Sequence, residues 1–229
     1  MERLVAGFSA YVDVFEASGA FVGPSVYFHE RAIERRRMHD SVQSMLADRL
    51  FLEYVYAVLP AWGMHRMGSM SAKVDDFEAI ASRLSMLADP LESLWHRRIT
   101  HLPGDDALTT ANTAWEVIEA LRVSTSSSQI VAGSKFLHHL LPDLLPPIDR
   151  RYTMAFFTGQ TQVGDQRRAF LTWLPRFAEI GRRCQGPIQQ VLNHEGPMAT
   201  SEAKVIDNAI VGFMVRQRGE EGLQPSHVG

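Results

Sequence analysis

The sequence predicts an all-α protein, and three observations carry that expectation. Apolar residues recur at helical spacing through most of the chain, no pair of segments alternates convincingly as strands would, and proline and glycine punctuate the periodic runs. The 229 residues are 45% hydrophobic and 21% charged, a composition that supports a core of its own. One compact domain is expected over residues 1–215, with lobes that could meet near 100–130, followed by a flexible tail over 216–229.

Leu4, Phe8, Tyr11, Val12 and Phe15 share one face of a first helix. Pro24 opens a second, carrying Tyr27, Phe28, His29 and Ile33 into Arg35-Arg36-Arg37. Residues 41–58 read as one apolar helix, with Asp40 or Ser41 as N-cap and Pro60 as its stop. A loop with two glycines follows over Trp62–Gly68. Further helices are expected over 71–87, from Pro90 through Trp95, over 107–121 and over 130–141. Pro142, Pro146 and Pro147 forbid continuation, and Asp149 restarts the pattern to Phe157. Residues 165–183, a short segment between Gly186-Pro187 and Gly196-Pro197, and residues 201–215 complete the set.

Composition excludes several classes of function. A single cysteine, Cys184, leaves no disulfide framework, thiolate zinc site or cysteine-ligated cluster. A net charge of −3 excludes a uniformly basic nucleic-acid coat but allows a local basic patch. No apolar run reaches 18 residues, so no membrane is expected as a partner. The N-terminus carries Glu2, Asp13 and Glu16 rather than a basic segment before an apolar one, and the cytoplasm is the default expectation. There is no nucleophile elbow, nucleotide-hydrolase phosphate loop or dinucleotide fingerprint.

The most informative stretch runs from Ile130 to Thr153. It holds Gly133, Ser134 and Lys135 at a helix start, a proline-rich loop ending in Pro-Ile-Asp149, and a restart at Arg150-Arg151-Tyr152. This resembles the helix-hairpin-helix core of the DNA glycosylase superfamily of base-excision repair. The resemblance implies DNA as partner, Lys135 as an amine nucleophile and Asp149 as the carboxylate that positions it and stabilises charge on the sugar. It also implies a helix-hairpin-helix-like unit near 125–157, with Gly133 and Ser134 presenting backbone N–H groups to a phosphate.

The residue chemistry allows those roles and plainer ones. A lysine in a first helical turn opposes the helix dipole, which would lower its pKa, yet it could equally be a solvated side chain. Asp149 could be simply a helix N-cap. Arg150 and Arg151 could contact phosphate or pair with Asp143 or Asp165. Trp62, His65 and Arg66 together offer a stacking face, a titratable donor and a forked donor for a base or small anion; Trp62 could instead pack in the core. His138 and His139 point about 100° apart on a helix and suit structural roles. No metal and no cofactor are expected. Two functions follow: a DNA glycosylase-like protein that binds or repairs DNA, or a non-enzymatic α-helical binding module.

Overall fold

The structure is a computed structural model that describes residues 1–64, 73–194 and 196–222. Among these residues it is all-α, with a single isolated bridge between Val74 and Ser124 in place of any strand. The helices are α1 (Glu2–Ala6), α2 (Phe8–Ala17), α3 (Pro24–Arg36), α4 (Val42–Ala47), α5 (Arg49–Ala61), α6 (Phe77–Ser85) and α7 (Ala88–Leu94). They continue as α8 (Gly104–Leu121), α9 (Ile130–Leu140), α10 (Ala155–Thr158), α11 (Gln166–Arg183), α12 (Gln185–Asn193) and α13 (Glu202–Gly222).

Caps explain several of the starts. Ser41 Oγ accepts the Ser44 N–H, Asp76 Oδ1 that of Ala79 and Asp165 Oδ1 that of Arg168, while Pro24 occupies the first turn of α3.

Four elements depart from the sequence expectation. The first helix bends at Gly7 into α1 and α2. The helix expected over 41–58 is two, divided at Asp48, whose extended backbone ends α4 while its Oδ1 caps α5 on the Phe51 N–H. Its Oδ2 takes Arg35 Nε at 2.5 Å and His39 Nε2 at 2.9 Å, so α3 holds the break in place. The helix expected from residue 71 starts at Phe77, because residues 73–75 pair instead with the chain after α8, Asp75 N–H donating to Val123 O. The tail expected from Arg216 stays helical to Gly222.

The apolar core is continuous from Leu4 to Phe213. Helix α13 runs through it, buried all round from Glu202 to Phe213. There α2 crosses it so closely that a Cβ on Gly212 would fall 1.8 Å from Tyr11 O. Helix α9 packs against α3, α5 and α8. Among the described residues no helix is long and apolar enough to cross a membrane.

Candidate functional site

Helix α9 is buried along nearly its whole length, and Lys135 lies in its second turn rather than its first. Gly133 is not a hairpin glycine: it sits inside α9, and its N–H donates to Gln129 O. That N–H is unavailable to a phosphate. A Cβ there would fall 2.6 Å from Ile118 Cγ2, so the glycine lets α8 and α9 meet. Ser134 is also turned to a structural task. Its Oγ accepts the Ile148 N–H at 3.0 Å, and His138 Nδ1 donates to Leu145 O at 2.7 Å. Together they bind the proline-rich loop to α9 and deliver Asp149 beside it.

Asp149 is extended and caps the following turn, with Oδ1 accepting the Tyr152 N–H at 2.7 Å. That turn, Arg150–Met154, is a π-helix, with the Met154 N–H reaching back to Asp149 O. Such one-turn widenings are frequent at functional sites.

Lys135, Asp149, Trp62, Arg150 and Arg151 all border one cavity of roughly 910 Å³. The size is that of a small-molecule or cofactor site. The Lys135 ammonium donates to Trp62 O at 2.6 Å, where α5 ends. A cation is favourable at a helix C-terminus. Burial pushes the Lys135 amine below its ordinary pKa, while Asp149 and Asp207 pull the other way. The lowering expected from a helix N-terminus thus has another cause, desolvation. Trp62 is itself buried: its Nε1 donates to Ser25 O, and its ring lies against His29 and His138. His65 and Arg66 lie outside the described residues.

Asp207, Lys204 and Asn208 were missed by the sequence reading. Lys204 is fully buried, donating to Asp207 Oδ2 at 2.7 Å and Asn208 Oδ1 at 2.6 Å. The rings of Phe15, Phe21 and Trp62 lie 4.9–5.5 Å from its ammonium. Asp207 borders the cavity, and its Oδ1 has no partner among the described residues. Burial pushes its carboxyl up, against the pull of Lys204. A partial signal was present: Glu202 lies nearly opposite Lys204 on a helix whose first half is mostly apolar, so not all of its ionisable residues could face solvent.

A chain of hydrogen bonds runs from Lys135 away from the cavity. His139 Nδ1 lies 2.7 Å from Lys135 O, and a carbonyl only accepts, so this nitrogen carries the hydrogen. His139 Nε2 then accepts from His29 Nδ1 at 3.0 Å, and His29 Nε2 accepts the Thr200 hydroxyl at 2.8 Å. The tautomers follow from this network, given neutral rings. Burial supplies the neutrality, holding His139 at about 4 and His29 well below the ordinary histidine range. Burial holds His138 low in the same way.

Among the described residues, four cationic side chains (Lys73, Lys135, Arg150 and Arg151) and two carboxylates (Asp149 and Asp207) border the cavity. Arg150 and Arg151 are exposed at its edge. The arrangement offers an outer binding place for phosphate and an inner amine with carboxylates near it. No family model, curated protein or solved structure matches the chain.

Proposed function

We propose that the protein binds DNA at this cavity and acts on an extruded nucleotide as a DNA glycosylase-like lyase. The observation that carries the reading is that Lys135 and Asp149 line one cavity, with Arg150 and Arg151 at its edge. Arg150 and Arg151 hold the flanking phosphates, and the aromatic and serine-rich walls receive the sugar and base. The neutral Lys135 amine attacks the C1′ aldehyde of an opened abasic sugar, and the C–N bond forms as the C=O π pair moves onto oxygen. Asp149 relays both amine protons in turn, the first to that oxygen and the second to the resulting hydroxyl, which leaves with the C–O bonding pair as water while the nitrogen pair closes the imine.

The experiment is borohydride trapping on abasic-site DNA. A covalent adduct is expected for the unaltered protein and none for Lys135→Gln, with DNA affinity nearly unchanged. Equal trapping by both excludes Lys135 as the nucleophile. A non-enzymatic binding module is the second reading, favoured by one observation: Gly133 is spent on packing against Ile118, so no hairpin N–H faces a phosphate. The absence of both trapping and DNA binding at low salt selects that reading; DNA binding that weakens steeply with salt keeps DNA as the partner, and without trapping it removes only the lyase step.

A further inference from the structure

A second cavity, of roughly 460 Å³, shares no lining residue with the first. It lies where the end of α3, the segment after α7 and the start of α13 converge. Arg36, Arg37, Arg97 and Arg98 all border it, as do the exposed His96 and one carboxylate, Asp143.

The charges there do not cancel. Arg98 is matched by the buried Glu202, whose Oε1 takes its Nε at 3.0 Å and its Nη2 at 2.5 Å. The hydrogen bonds of the other three go to neutral groups. Arg37 Nη2 donates to Thr200 O, and Arg97 donates to Ser93 O and Thr110 Oγ1. Arg36 donates through Nε to Leu140 O and through Nη1 to His39 O. Asp143 accepts the Glu202 N–H on one oxygen. It acts on Arg36 and Arg98 through space, without a hydrogen bond to either among the described contacts. With Arg98 set against Glu202, three guanidinium groups face one carboxylate.

Arg36 is also held still. Its guanidinium lies 3.6 Å over the Trp95 ring, and two backbone carbonyls fix its edge. Burial lowers its pKa to about 10, the mark of a cation poorly compensated where it stands. A stacked guanidinium presents its remaining N–H groups in one plane, suited to the paired oxygens of a phosphate.

We propose that this cavity is an anion site for a phosphate-bearing ligand with more than one negative charge. The proposal is independent of the reading of the Lys135 cavity. A lone phosphate would leave most of the space empty, whereas linked phosphates could meet Arg36 inside and Arg37 and Arg97 nearer the opening.

The test is calorimetric titration of the full chain with inorganic pyrophosphate at low salt. Saturable binding that persists when Arg150 and Arg151 are replaced is expected. Arg37→Gln and Arg97→Gln should each weaken it about tenfold. Arg36→Lys, which keeps the charge but loses the planar fork, should weaken it in a protein whose circular dichroism is unchanged. Arg150→Gln/Arg151→Gln should leave it alone. A short DNA duplex added as competitor separates the two sources of phosphate: displacement identifies backbone phosphates, and its failure identifies a free ligand. No saturable binding overturns the proposal, as does binding lost with Arg150 and Arg151 but retained without Arg37 and Arg97. Borohydride trapping at Lys135 reads neither result.

Discussion

The Lys135 ammonium and the Trp62 carbonyl oxygen lie 2.6 Å apart, so a charge borne by α9 closes the C-terminal end of α5. The contact gives Lys135 a structural task alongside the one proposed for it. Lys135→Met should therefore lower stability by about 1–3 kcal/mol by leaving a buried carbonyl unmatched. Lys135→Gln, which keeps a donor, should cost less. Urea unfolding of the two variants checks the order, and equal loss would show that the bond contributes nothing.

Asp149 separates capping from charge. Asn caps a helix as well as Asp, so Asp149→Asn should change stability by less than about 0.5 kcal/mol, while Asp149→Ala should cost about 1 kcal/mol. Asp149 raises the Lys135 pKa, so both variants should lower it further. An NMR titration of the lysine side chain reads that shift; a rise would contradict the electrostatic picture.

Buried histidines give stability a pH dependence of known sign. His29, His138 and His139 all have folded pKa values below their unfolded ones, His139 at about 4. As pH falls through about 6.5 the unfolded chain takes up protons that the folded chain refuses. Stability should fall with pH, approaching roughly 4 kcal/mol per pH unit once all three imidazoles are charged in the unfolded state alone. For His139 the decline ends near 4, where the folded ring also protonates. Urea midpoints at pH 7, 6 and 5 measure the slope, and a flat profile would mean that the rings are not held neutral.

Two glycines should resist alanine for steric reasons. In an open helix Gly→Ala stabilises by up to about 1 kcal/mol. Here Gly133→Ala drives a methyl into Ile118 and should destabilise by about 1–3 kcal/mol. Adding Ile118→Ala makes room, so the double variant should lose less than the sum of the two single losses. Gly212→Ala meets backbone rather than side chain and should cost more than Gly133→Ala. Thermal unfolding ranks all four proteins.

The Lys204–Asp207 pair offers a contrast between breaking and replacing. Lys204→Met leaves Asp207 buried without its cation and should cost about 3–5 kcal/mol. Lys204→Met with Asp207→Leu removes both charges and should recover much of that loss. A double variant no more stable than the single one would refute this account.

Some helix starts were legible in the sequence. Ser41, Asp165 and Pro24 act locally, so their meaning is present in a few neighbouring residues. The break at Asp48 was not legible, because Arg35 and His39 of another segment help hold it. In the segment 130–153, Lys135 and Asp149 line one cavity, while Gly133 packs inside α9 rather than turning the chain. A glycine in an apolar run has the same signature whether it turns the chain or admits a neighbouring helix. Lys204, Asp207 and Asn208 escaped because polar residues three and four apart imitate a solvated helix face.

The crossing of α2 and α13 has a consequence for biosynthesis. Tyr11 emerges from the ribosome early, whereas Gly212, the residue shaped to receive it, is among the last of the described chain to be made. At 5–20 residues per second the wait is on the order of 10 seconds or more. Throughout it the apolar face of Phe8, Val12 and Phe15 has no α13 to cover it. The closure of α2 against α13 is therefore a late, long-range event in folding.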